Sequence, residues 1–194
     1  MKKLDVIGIA NEYQTKTRLI QENIINSMKR SVKTRDFNRM KRIKSPFVED
    51  CFVLTTSDRY TGTIFIKVDG KWVFNSERVD IEGKVFECFN IISEHCIERF
   101  RCRLNMYATP IEDVLKRFEE SYLNGKSFST TTDRLGQCVY IDTYNVVCPV
   151  EYTYYNGNTS LVCIIKTVLD QPDRKTDEVR GRQDSILEKM ASVA

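Results

Sequence analysis

The apolar residues of this chain change their period near Ser45-Pro46, and that change decides what it can fold into. Before it, Leu19, Ile20, Ile24, Ile25 and Met28 recur at three- and four-residue spacing, which lines one face of an amphipathic helix. After it, Cys51-Phe52-Val53-Leu54, Thr63 to Val68 and Lys71 to Phe74 read as strands. The last two are separated by Asp69-Gly70, a pair that suits a type I′ hairpin because both central residues need positive φ. A chain with helical and strand periods in separate blocks has to lay helices on a sheet to bury both apolar faces.

Further along, Ser76 to Glu82 is polar, and Val85 to Ile92 is apolar enough for a strand or a buried lead-in. Two helices follow. The first is expected from the N-cap Ser93 through Leu104, and the second from Thr109-Pro110-Ile111-Glu112, with Thr109 capping, Pro110 at the first helical position and Glu112 completing a capping box. The second helix carries Ile111, Val114, Leu115, Phe118 and Tyr122 on one stripe and stops at Asn124-Gly125. It is expected to cover a C-terminal sheet built from residues 138–142, 146–155 and 159–168, with Asn156-Gly157 as the last hairpin turn. The fold class is therefore α+β, an antiparallel sheet of two meanders covered by two central helices, with a basic helical N-terminal arm. Residues 1–45 form the arm and 46–170 the core. Residues 171–194 form a polar tail in which Ile186, Leu187, Met190 and Val193 could make a short helix.

A length of 194 residues with 41% hydrophobic content supplies one full core. No stretch approaches the roughly 20 apolar residues of a membrane span, and the first ten residues are too polar for a signal peptide, so a cytoplasmic protein without membrane contact is expected. The cysteines Cys51, Cys88, Cys96, Cys102, Cys138, Cys148 and Cys163 are odd in number and set among apolar residues, which suits reduced, buried thiols. They include no Cys-x-x-Cys pair, so neither a metal site nor a cofactor is expected.

The net charge of +3 conceals an uneven distribution. From Thr15 to Lys44 there are ten basic residues (Lys16, Arg18, Lys29, Arg30, Lys33, Arg35, Arg39, Lys41, Arg42, Lys44) against Glu22 and Asp36, a net +8 that leaves −5 for the remainder. Such a block attracts polyanions with strong salt dependence. Lys29, Arg30, Lys33, Arg35, Arg39, Lys41, Arg42 and Lys44 are the expected nucleic-acid contacts; the alternative is a solvated helix face followed by a charged linker.

The single histidine lies in Ser93-Glu94-His95-Cys96-Ile97-Glu98-Arg99-Phe100-Arg101-Cys102-Arg103-Leu104. At about 100° per residue, Cys96, Ile97, Phe100 and Leu104 share one side of this helix, while His95, Arg99 and Arg103 form a ladder on another. A histidine can take a ribose 2′-OH proton or protonate a leaving 5′-oxygen near neutral pH, and guanidinium groups can hold the phosphate, with no metal required. Stacked arginines can equally clamp a backbone without any reaction. Other catalytic patterns are missing: there is no Gly-x-Ser-x-Gly turn, P-loop or dinucleotide fingerprint, and the Ser127–Thr132 run has no Glu-x-Glu after it.

The His95-x-x-x-Arg99-x-x-x-Arg103 helix, the Pro110-Ile111-Glu112-Asp113-Val114 helix and a meander ending in Leu161 to Lys166 together resemble small ribonuclease toxins of the RelE/BrnT type, over residues 91–168. The resemblance implies a helix-and-sheet cleft that holds RNA, with Lys166 on the last strand joining His95, Arg99 and Arg103 in the chemistry. The long basic segment and the first hairpin have no counterpart in the minimal toxin domain. The expected function is RNA binding with metal-independent ribonuclease activity. The alternatives are a non-enzymatic nucleic-acid-binding or regulatory protein, and a protein-interaction or inhibitor module that presents Tyr140, Tyr144, Tyr152, Tyr154 and Tyr155 to a protein partner.

Overall fold

The computed structural model describes residues 5–57, 61–79, 83–128, 138–142, 146–156 and 159–170. The expected 171–194 tail, Gly157 and Tyr144 lie outside these residues. The chain begins with helices α1 (Val6–Leu19) and α2 (Gln21–Thr34), followed by strands β1 (Met40–Arg42), β2 (Cys51–Thr55), β3 (Gly62–Val68), β4 (Lys71–Val79) and β5 (Val85–Ile92). Helices α3 (Glu94–Arg103) and α4 (Ile111–Leu123) come next, then β6 (Lys126–Phe128), β7 (Cys138–Asp142), β8 (Val146–Tyr155), β9 (Ser160–Ile165) and β10 (Leu169–Asp170).

Local chemistry explains most of these boundaries. Asp5 caps α1, its Oδ1 accepting from the Gly8 N–H at 2.6 Å. At Ile20 the backbone leaves helical geometry (φ −111°, ψ 13°), so α1 and α2 are separate helices. The stripe counted from Leu19 to Met28 therefore spans a break: Ile20, Ile24 and Met28 are buried, but Leu19 and Ile25 are exposed. Arg35 ends α2 in the left-handed region at φ 53°, where its N–H reaches the Val32 carbonyl and the Asp36 N–H reaches that of Ser31. Asp69 and Gly70 have φ of 47° and 73°, the pair of positive values a two-residue turn between β3 and β4 needs.

Ser93 caps α3, its Oγ accepting from the Cys96 N–H at 3.0 Å. The capping box expected on α4 does not form. Pro110 is the N-cap, no side chain caps the helix, and the Thr109 N–H is taken by the Met106 carbonyl in a tight turn.

The strands make one mostly antiparallel open sheet, ordered β1-β2-β3-β4-β5-β9-β8-β7-β6, with β10 paired to β8. Neighbours are antiparallel except β5 and β9, which pair in parallel from Glu87↔Ser160 to Ile92↔Ile165. Both faces are covered. One core lies between the sheet and α3/α4 and contains Phe65, Phe74, Ile92, Cys96, Phe100, Leu115, Phe118 and Tyr122. The other joins α1/α2 to the opposite face through Ile9, Tyr13, Ile24, Met28, Val53, Ile66, Val73, Phe89 and Val162. Helices therefore lie on both sides of the sheet, two from the N-terminal segment and two from the centre of the chain. Helix α4 also reaches the N-terminal strands, not only the C-terminal ones: Tyr122 packs edge-on against Phe74, and its hydroxyl donates to Asn90 Oδ1 at 3.0 Å.

Candidate functional site

The basic segment is a surface. On α2, Lys29, Arg30 and Lys33 are exposed while Ile24, Met28 and Ser31 turn inward. Arg35, Arg39, Arg42 and Lys44 continue this exposed line into and past β1, whose Met40 is buried in the core. Lys41 pairs with Asp36 at 2.9 Å, which holds the Asp36 carboxyl below its usual range, and Arg42 pairs with Asp50. Arg42 also lies over the Phe52 ring, 5.8 Å from its centroid. Among the described residues, Lys29, Arg30, Lys33, Arg35, Arg39 and Lys44 form no ion pair.

Helix α3 presents the second group. His95 and Arg99 are exposed, Arg103 is half-buried, and Cys96, Ile97 and Phe100 face the core. Glu94 pairs with Lys67 of β3 at 3.0 Å, which raises the lysine's affinity for its proton. Lys166 is not on the last strand but just beyond β9. Between the Ile165↔Val150 and Leu169↔Val147 pairs the β9/β10 side has one more residue than β8, so Lys166 sits in a bulge. The Ser93 Oγ donates to the Lys166 carbonyl at 3.1 Å, which ties the start of α3 to that bulge. The Lys166 ammonium turns to Glu151, 2.5 Å away. The α3 ladder and α2 belong to opposite layers of the sheet.

A third feature has no counterpart in the sequence motifs. Pairing of β3 with β4 stops at Phe65↔Phe74, so Gly62–Ile64 and Asn75–Val79 diverge. The Tyr13 hydroxyl fills the point of divergence, donating to the Ile64 carbonyl at 2.9 Å. Burial pushes the Tyr13 phenol well above the ordinary tyrosine range. The divergence opens a cleft of about 800 Å³. Tyr13, Thr17 and Arg18 line it from α1, Thr61 and Thr63 from β3 and the turn before it, Asn75, Glu77 and Glu87 from β4 and β5, and Glu119 and Leu123 from α4.

Glu119 is 6% exposed and accepts from the Thr63 hydroxyl at 2.7 Å. Burial raises its carboxyl above the usual range, against the smaller opposing effect of the Thr63 hydrogen bond. Asn75 Nδ2 donates to Glu87 Oε1 at 2.7 Å, while the buried Asn75 Oδ1 has no partner among the described residues. Glu119 gave one hint in the sequence, a carboxylate one helical turn after Leu115 on the apolar side of α4. Tyr13, Asn75 and Glu87 gave none.

The tyrosines divide. Tyr154 is 48% exposed beside Tyr152, whereas Tyr155 packs edge-on against Phe89 and is hydrogen-bonded to Asn11 of α1. Five of the six cysteines with described side chains are buried, and Cys102 is exposed. No described helix is long and apolar enough to cross a membrane. Comparison with models of known families, with curated proteins and with solved structures gives no match for this chain.

Proposed function

We propose that this protein binds RNA in the cytoplasm through the exposed cations of α2 and the segment that follows it. The observation that carries the proposal is the run Lys29, Arg30, Lys33, Arg35, Arg39 and Lys44, exposed and without ion pairs among the described residues. Cations already neutralised by carboxylates add little to phosphate binding; these retain their charge for a polyanion. In this reading residues 1–45 act as a basic arm on a core of two meanders, and the arm's contacts are to phosphates, so affinity exceeds sequence preference.

A second reading adds chemistry, because His95 and Arg99 are exposed together on one side of α3. His95 would exchange the proton, and Arg99 and Arg103 would hold the phosphate, without a metal. Lys166 would first have to leave Glu151. The test is anisotropy of labelled single-stranded RNA across a salt series, with gel analysis of the same RNA in EDTA. Binding should weaken steeply with salt, and replacing Lys29, Arg30 and Lys33 by Ala should lower the salt slope by about 2, at roughly 0.7 per phosphate contact. EDTA-resistant cleavage lost in His95→Ala would add the ribonuclease step. Binding equal in both proteins without cleavage would make the protein a non-enzymatic binder. No salt-dependent RNA binding would overturn the proposal and leave the exposed Tyr154 side as a protein-interaction surface.

A further inference from the structure

The connection between β1 and β2 holds an aromatic ring out of the core. Residues 39–50 carry Arg39, Lys41, Arg42 and Lys44 against Glu49 and Asp50, so this hairpin continues the basic surface. Its two ends are tied together: the Ile43 N–H donates to the Cys51 carbonyl at 2.8 Å, and Arg42 pairs with Asp50. Ile43 and Val48 are buried in the core beneath α1 and α2. Between them Phe47 is 55% exposed.

The ring does not hang on a loose loop. Pro46 fixes φ immediately before it, the Phe47 N–H donates to the Ser45 Oγ at 3.2 Å, and the buried Val48 follows at once. A side chain presented by a tied backbone has less freedom left to lose on binding. Phe47 also lacks the hydroxyl through which Tyr107 and Tyr154, the other exposed aromatic side chains among the described residues, can bond to water.

Three residues earlier stands Lys44, exposed and without an ion pair among the described residues. Three residues cannot separate two Cα atoms by more than about 11 Å. A nucleotide whose phosphate meets Lys44 therefore brings its own base, or the next one, to the ring. A cation for the backbone beside an aromatic face for the base is the arrangement that retains unpaired nucleic acid without reading its sequence. Duplex RNA offers no such face, because its bases are paired and stacked and its deep groove is closed to side chains. We infer, resting on the RNA-binding reading of the basic surface, that Phe47 stacks on an unpaired base and that the RNA held there is single-stranded.

The test is anisotropy of a short labelled RNA of mixed sequence, alone and annealed to its complement, titrated with the full-length protein across a salt series. The wild type should prefer the single strand. Phe47→Ala should weaken single-strand binding about tenfold, the size of one lost base–aromatic stack, with the salt slope unchanged and duplex binding unaffected. Phe47→Trp should keep the single-strand affinity, and Phe47→Leu, which is apolar but has no ring, should behave like Phe47→Ala. Lys44→Ala should instead lower the salt slope by about 0.7, the value of one phosphate contact. Circular dichroism shows that each variant is folded. If the wild type binds RNA and Phe47→Ala binds the single strand equally well, or loses as much on duplex as on single strand, the stacking role is overturned and the basic surface still stands as an RNA site. Phe47→Leu at wild-type affinity would overturn it too, since the ring would then act only as hydrocarbon. No salt-dependent binding by the wild type would remove the RNA reading itself, and the stacking with it.

Discussion

The Tyr13 hydroxyl and the Ile64 carbonyl, 51 residues apart in sequence, meet at 2.9 Å where the β3–β4 ladder ends. The phenol replaces a backbone partner for Ile64, so the strands diverge without leaving its carbonyl unsatisfied. The Tyr13 ring meanwhile packs edge-on against Phe89, 6.1 Å between centroids, which fixes α1 on the sheet. One side chain from the first helix thus both docks that helix and holds the cleft open.

Tyr13→Phe keeps the ring and removes the hydroxyl. It should cost about 1–3 kcal/mol, because the part-buried Ile64 carbonyl loses its donor. Urea denaturation measures the loss. An unchanged denaturation midpoint would mean that the strands close and satisfy each other.

Ser93 and Thr109 make a paired prediction. Ser93 accepts from the Cys96 N–H and donates to the Lys166 carbonyl, so Ser93→Ala should cost about 1–2 kcal/mol through the lost cap and the lost tie to the bulge. Thr109 caps nothing, so Thr109→Ala should stay within about 0.5 kcal/mol. Thermal denaturation of the two variants side by side tests both halves, and equal losses would restore the capping box at Thr109.

What the sequence revealed followed from local chemistry. The Ser93 cap, the side of α3 that carries His95 and Arg99, and the Asp69-Gly70 turn depend on residues within a few positions of each other, and each is where the pattern puts it. The break at Ile20 was hidden, because Leu19 and Ile25 continue the apolar spacing across it although neither is buried. Thr109 fits a capping consensus, yet the turn closed by the Thr109 N–H and Met106 carbonyl makes Pro110 the cap. The parallel β5–β9 pairing, the bulge at Lys166 and the cleft join residues dozens of positions apart. No local propensity encodes such meetings.

The cysteines predict a labelling order. Burial raises the Cys51 and Cys148 thiols to about 12 and pushes the Cys96 thiol up as well, which removes the reactive thiolate at neutral pH. Cys102 is exposed, with the Tyr107 hydroxyl donating to its Sγ at 3.0 Å. In native protein an aromatic disulfide reagent followed by peptide mapping should modify Cys102 ahead of Cys51, Cys88, Cys96, Cys148 and Cys163, which should react only on unfolding. Early modification of Cys96 or Cys148 would mean that α3 lifts from the sheet.

Glu119 gives the pH dependence its sign. Burial raises its folded-state pKa above the ordinary value of 4.5, so at intermediate pH the native protein holds a proton that the unfolded chain has released. Stability is then greatest below about pH 4.5 as far as this group is concerned, and it falls as pH rises through the raised value. Glu119→Gln keeps an acceptor for the Thr63 hydroxyl and cannot ionise, so it removes that loss. The variant should match the wild type near pH 4, gain on it as the pH rises, and hold a constant advantage once the wild-type carboxyl is fully ionised. Urea midpoints from pH 4 to pH 8 measure the difference directly. A difference that stays flat with pH would mean that Glu119 ionises as easily in the folded protein as in the unfolded chain, and that water, not the α4 core, surrounds it.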